Sequence, residues 1–211
     1  MRVVASQKKS FIEQLAFTIL TRLEKNRSFS EVEYLKCKLG LETLLIDASK
    51  LIVIYGLAII IGVTWETLII HLGYMAIRTF AHGVHSESSF SCTLISCVIL
   101  IGTPMVLSTI QFPQLALPAI AVINLMILII YAPAATRKNG IWRLKSTKRK
   151  KLQNKAIIAN IVLSLVSMIL LPRPIGMLLL TGSFIASLMT TPPAYHLLKS
   201  ERIENNGEFY Y

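Results

Sequence analysis

Two of the four histidines, His82 and His85, flank Gly83 in the stretch RTFAHGVHSESSFSCTLISC, residues 78–97, and Cys92 follows His85 by seven residues. An imidazole within hydrogen-bond reach of a thiol takes its proton, and the thiolate formed attacks a peptide carbonyl to give a thioester. His85 and Cys92 are therefore candidates for a base and a nucleophile. On a straight helix, seven residues bring two side chains to nearly the same face but leave them ~10.5 Å apart. A base and its nucleophile need a contact of ~3–4 Å. The link must therefore turn back on itself, and the small polar run Ser86 to Ser91 has the loop character to do so. Cys92 then stands at the start of the next helix, where the positive end of the dipole favours an anion.

The same residues admit plainer readings. A Cys and a His seven apart are ordinary taken alone, and Cys37 and Cys97 read as small packing residues. His82, His85 and Cys92 are of the types that bind zinc, but neither a second cysteine nor a His-Glu-x-x-His accompanies them. His71 and His196 read as packing or interfacial histidines. Ser86, Glu87 and Ser88 could each orient His85, and the sequence does not select among them. Arg78, one of two basic residues outside the charged clusters, could stabilise an oxyanion, pair with a carboxylate or extend to the membrane surface. No Gly-x-Ser-x-Gly elbow, P-loop or dinucleotide fingerprint occurs, so neither a cofactor nor a metal is expected.

The elements that must position these residues are apolar. Of 211 residues 54% are hydrophobic and 16% charged, with a mean hydropathy of +0.60, whereas a soluble domain carries about 25% charged residues. The chain reads as a membrane protein. Three cysteines are too few for a disulfide-built scaffold. The net charge of +11 invites a nucleic-acid reading, but its distribution argues against one. Nine basic residues lie within the first 50, and nine more between Arg137 and Lys155, where no acid occurs. Lys199 and Arg202 follow the last apolar run. Clusters at the ends of apolar segments fit the positive-inside rule better than a groove-reading surface.

From Phe11 to Leu23 the apolar residues recur at helical spacing, predicting an amphipathic helix that lies in the interface or packs on the bundle. Ser30-Glu31-Val32-Glu33 reads as a capping box opening a helix that could run into the first apolar segment. Six such segments follow, at about 41–63, 68–80, 92–110, 115–135, 156–172 and 175–193. The second is short of the ~20 residues that cross a ~30 Å hydrocarbon core and is a candidate re-entrant segment. With a cytoplasmic N-terminus, six crossings place the 81–91 and 136–155 loops and the C-terminus inside as well. The expected architecture is all-α: one integral membrane domain over 1–211. It comprises a cytoplasmic or interfacial region over 1–40, a transmembrane bundle over 41–193 and a cytoplasmic tail over 194–211.

The active-site segment resembles that of the accessory gene regulator protein B (AgrB) family, membrane cysteine endopeptidases of Gram-positive quorum sensing. The matching features are His85 and Cys92 with Gly83 two residues before the histidine, Tyr131-Ala132-Pro133-Ala134 before a basic loop, and Lys38-Leu39-Gly40-Leu41-Glu42 entering the first segment. Many members carry an acid just after Ala-Pro-Ala, where this chain has Ala135-Thr136. The resemblance implies a precursor signal peptide with an amphipathic helix and an acidic C-terminal tail, and a homodimer in the lipid bilayer. Cys92 would attack at the tail junction with His85 as base and then acid. An internal nucleophile of the peptide would then close a thiolactone or lactone ring. Lys148, Arg149, Lys150 and Lys151 would attract the acidic tail, or would instead only fix topology and contact anionic lipid. Arg78 is a further candidate contact for a tail carboxylate. The competing reading of the chain is a small non-enzymatic peptide transporter or channel-like protein, with His85 and Arg78 lining its path.

Overall fold

A computed structural model of the chain describes residues 11–24, 30–84, 89–110, 113, 115–136, 140–169, 172–198, 202–203 and 209–210. The chain divides into two compact units, residues 1–56 and 57–211.

In the first unit, helix α1 covers Phe11–Glu24. Ala16 and Leu20, one turn apart, are buried, while Leu15, Phe17 and Leu23 remain exposed. Helix α2 runs unbroken over Glu31–Ile61, so that its last five residues, from Leu57, belong to the second unit. Its start is the capping box read from the sequence: the Glu33 amide donates to Ser30 Oγ at 3.3 Å, and the Ser30 amide donates to Glu33 Oε2 at 3.0 Å. The charges that α2 carries into its apolar stretch are paired along it, Lys38 with Glu42 at 3.8 Å and Lys50 with Asp47 at 3.6 Å. Ile52 and Ile60 stand 74% and 83% exposed, a surface stable only against lipid.

The second unit contains helix α3 over Thr64–Ala81 and then a span assembled from three pieces. These are α4 over Ser89–Cys97, a π-helical turn over Val98–Gly102 and α5 over Thr103–Thr109. Helix α6 covers Ala116–Tyr131, α7 Ser146–Ile169, α8 Arg173–Leu188 and α9 Pro192–Leu197. A short hairpin pairs β1, Arg202–Ile203, with β2, Phe209–Tyr210. Among the described residues three helices, Glu31–Ile61, Phe90–Thr109 and Ser146–Ile169, are long and apolar enough to cross a membrane, and Ala116–Tyr131 and Pro174–Leu188 are shorter apolar helices. The protein is an all-α, multi-pass membrane helix bundle.

Two segments differ from the sequence reading in instructive ways. The fifth apolar segment begins at 156, yet α7 starts at Ser146, because the Lys, Arg and Gln residues before it are good helix formers that can extend the helix into water. The second segment, expected as short of a full crossing, is part of the 18-residue helix α3, which packs closely within the bundle. α3 packs extensively on α8, and a Cβ built on Gly73 would fall 2.1 Å from the Leu179 carbonyl oxygen, one on Gly182 2.1 Å from that of Ile70. Such backbone contact supplies van der Waals packing that lipid alone cannot. A polar network fastens the remaining helices: Asn124 of α6 donates to Asn160 Oδ1 of α7 at 2.6 Å and to Ser183 Oγ of α8 at 2.8 Å, while Ser187 of α8 donates to Asn124 Oδ1. All four side chains are buried.

Candidate active site

The chain leaves α3 through an unusual turn. His82 has φ 56° and Gly83 φ 139°, both in the left-handed half of conformational space. The turn is held from three sides. Ala134 donates its amide to the Ala81 carbonyl at 2.9 Å, in a parallel bridge between His82 and Ala134, and Val84 donates its amide to the Met189 carbonyl at 3.0 Å. Residues 81–84 thus thread between the loop after α6 and the end of α8. Beneath them Val84, Ala134 and Tyr195 form a buried apolar cluster, and the Tyr195 hydroxyl donates to the Ala135 carbonyl at 3.3 Å. The Ala132–Pro133 peptide in this loop is cis.

Arg78 supplies the third constraint. Its Nη1 donates to the His82 carbonyl at 3.0 Å and its Nη2 to the Val84 carbonyl at 2.5 Å, with the guanidinium 5.9 Å from the centre of the Tyr74 ring. The fork of the guanidinium therefore caps the C-terminal end of α3, where carbonyls lack partners and positive charge is favoured. Gly83 is required twice over. Its φ suits glycine, and a Cβ there would fall 1.9 Å from Arg78 Nη1 and 2.9 Å from the Met189 carbonyl oxygen. Burial, and secondarily the positive charge of Arg78, push the His82 imidazole below its usual range, so it is held neutral.

Beyond Val84, His85 and its neighbours Ser86, Glu87 and Ser88 lie outside the described residues. The chain is described again from Ser89, where α4 begins, and Cys92 is a free, half-buried thiol in its first turn. Cys97 closes the same helix, and Cys37 is exposed on α2. Among the described residues no group of three metal-ligating side chains occurs.

Lys148, Arg149, Lys150 and Lys151 occupy the first two turns of α7, whose first turn contains no acid. Positive charges thus crowd the positive end of a helix dipole, an arrangement that an incoming anion relieves. This end of α7 lies beside the turn described above. Lys155 Nζ sits 5.9 Å from the centre of the Phe80 ring, and Gln153 donates to the Ile129 carbonyl at 2.7 Å. The sequence reading identified Arg78 and Gly83 as part of the unusual segment, but missed the walls that Met189 and Tyr195 provide. The Tyr131-Ala132-Pro133-Ala134 run was visible as a motif, and its position against Ala81 supplies its physical role.

Residues 16–190 match the family model described as Accessory gene regulator B. Over 171 residues the chain is 36% identical to an accessory gene regulator protein B of Staphylococcus epidermidis, covering 81% of this chain and 86% of the relative. A protein of the same description from Staphylococcus carnosus is 37% identical over 145 residues, 69% of this chain and 74% of the relative. One from Staphylococcus saprophyticus is 32% identical over 183 residues, 86% and 94% of the two chains. No solved structure matches the chain.

Proposed function

The chain belongs to the accessory gene regulator B family of quorum-sensing, peptide-processing membrane proteins, and from that premise we propose that it is a membrane-embedded cysteine endopeptidase acting through Cys92 and His85. The observation that carries the reading is the placement of Cys92. It is a free, half-buried thiol in the first turn of α4, just after the segment that Arg78 pins. A partly enclosed thiol is shielded from bulk water yet open to a peptide.

In this reading the substrate is a precursor signal peptide with an acidic C-terminal tail. His85 takes the Cys92 proton, the sulfur attacks the carbonyl at the tail junction, and His85 returns the proton to the departing amine. The tail leaves and the remaining peptide is held as a thioester. An internal cysteine or serine of the peptide displaces Cys92 and closes a thiolactone or lactone ring. Exchange of one thioester for another is nearly isoenergetic, so exclusion of water governs whether ring closure prevails over hydrolysis. Arg78, bound to two backbone carbonyls, holds the approach to His85; a tail carboxylate would compete for the same guanidinium. Lys148, Arg149, Lys150 and Lys151 receive the tail. The N- and C-termini and the site face the cytoplasm, where the basic clusters belong, α1 lies in the interface, and two copies assemble as a homodimer.

The test uses vesicle-reconstituted protein with the precursor encoded beside its gene, followed by mass spectrometry of wild type, Cys92→Ala and His85→Ala. Tail release with a covalent peptide adduct on the wild-type protein, and neither in the variants, is the expected result. Unimpaired release by Cys92→Ala would overturn the reading and bring the transporter alternative forward.

A further inference from the structure

At the end of α3 opposite Arg78, a cavity of about 570 Å³ opens between the first turns of α3 and α8 and the last turn of α5. A helix of 18 residues places it about 27 Å from the active-site turn. Its walls are apolar, chiefly Ile69, Pro104, Leu107 and Met177, and its volume lies in the range of small-ligand sites. Three lining residues break that pattern: Ser108, whose hydroxyl already donates to the Met105 carbonyl at 2.7 Å, Trp65 and Glu66. Trp65 is 65% exposed, and Glu66 is half-buried with no hydrogen-bond or ion-pair partner among the described residues.

We propose that this cavity binds one phospholipid whose headgroup carries a primary ammonium, with part of an acyl chain inside and the ammonium on Glu66. The apolar interior, open to the surroundings of a membrane bundle, suits an acyl chain. The charges at its edge suit a zwitterion. The positive ends of α3 and α8 both lie there, Trp65 and Glu66 belonging to the first turn of one helix and Pro174 and Ile175 to that of the other, and they favour a phosphate. The Glu66 carboxylate also offsets the dipole of α3, a service it performs with or without a ligand. What it adds at the edge of a cavity is an acceptor for N–H donors that a phosphoglycerol headgroup lacks. Trp65 suits the water–lipid boundary, where indole rings concentrate.

Trp65 is also the reporter. The chain has two tryptophans, so Trp142→Phe in the full chain leaves Trp65 alone. This protein is reconstituted in phosphatidylglycerol vesicles containing brominated-chain phosphatidylethanolamine or, separately, brominated-chain phosphatidylglycerol at equal fractions. Ethanolamine lipid should occupy the site about threefold more readily, the size of effect a half-exposed ion pair provides, and quench Trp65 correspondingly more. Glu66→Gln in the same background should erase the difference, and Glu66→Asp should keep it. Equal quenching by the two headgroups in the parent protein would overturn the proposal. So would a preference that persists in Glu66→Gln, or one that is lost in Glu66→Asp.

Discussion

Alanine at Gly83 tests whether Arg78 acts by holding the chain or by touching the substrate. The new methyl carries two penalties. A non-glycine residue at φ 139° costs about 1–3 kcal/mol. The Cβ, 1.9 Å from Arg78 Nη1, also expels the guanidinium from the His82 and Val84 carbonyls, and a hydrogen bond involving a charged group is worth ~1.5–3 kcal/mol. Together they amount to at least about 3 kcal/mol localised on the approach to His85, and ~1.4 kcal/mol is a tenfold change. Tail release by Gly83→Ala should therefore fall at least about a hundredfold. In an Arg78→Ala background the carbonyl bonds are already lost, so the same methyl should cost only the backbone term. The contact with the Met189 carbonyl at 2.9 Å is common to both backgrounds. The double variant should then be ~10-fold or more better than the product of the single effects, the mark of residues that share one interaction. The assay is the rate of tail release at saturating and limiting precursor, read by mass spectrometry from vesicles. A positioning role lowers kcat, whereas loss of a tail contact raises KM. Independent effects, or a Gly83→Ala protein with more than half of the parent rate, would refute the reasoning.

Asn124→Leu should lower the thermal unfolding temperature in detergent, since it leaves the buried Asn160 Oδ1 without its donor at a cost of ~1–3 kcal/mol, while Ser183 keeps its bond to the Leu180 carbonyl; an unchanged temperature would show that the network is not binding the helices. Glutamine at Lys148, Arg149, Lys150 and Lys151 should raise KM for precursor more than about tenfold at low salt and leave kcat alone, each cation near a charged surface being worth ~1 kcal/mol. A salt-independent KM equal to that of the parent would leave the cluster with topology alone. His82, depressed from 6.5 by burial and by Arg78, is neutral in the folded protein. The unfolded chain takes up its proton first on acidification, so this contribution to stability is intact above about pH 6.5 and lost progressively below it. Thermal unfolding at pH 7.5 and 5.5 should show a loss that His82→Gln reduces.

Much of the architecture was legible because a membrane imposes long apolar runs and charged ends. The capping box at Ser30 and Glu33 and the continuity of α2 came from local rules, and so did the placement of Cys92 at a helix start. The start of α7 was missed because hydropathy marks where lipid contact begins, whereas the helix continues through basic residues that favour it. The turn after α3 was legible in its residues but not in its contacts. Nothing local tells that Arg78 bonds to carbonyls four and six residues on, or that Met189 and Ala134 receive the backbone between them. Those partners are set by how α6 and α8 end, as Asn124 meets Asn160 and Ser183 only through helix packing.

The π turn at Val98–Gly102 bears on how this protein tolerates length change. A turn closed by i→i+5 bonds contains one residue more than an α turn, and one residue corresponds to about 100° of rotation on an α-helix. Deleting a single residue from this turn would give a regular helix and leave Cys92 close to its present azimuth relative to Pro104 and Leu107, whereas straightening the turn with that residue retained would swing Cys92 about a third of the way round. The turn is therefore a length buffer: it takes up one extra residue without rotating the thiol relative to the face that the far half of the span presents to its neighbours. By contrast, a residue inserted between Cys92 and Val98, where the helix is regular, would rotate the thiol by about 100° relative to the far half of the span.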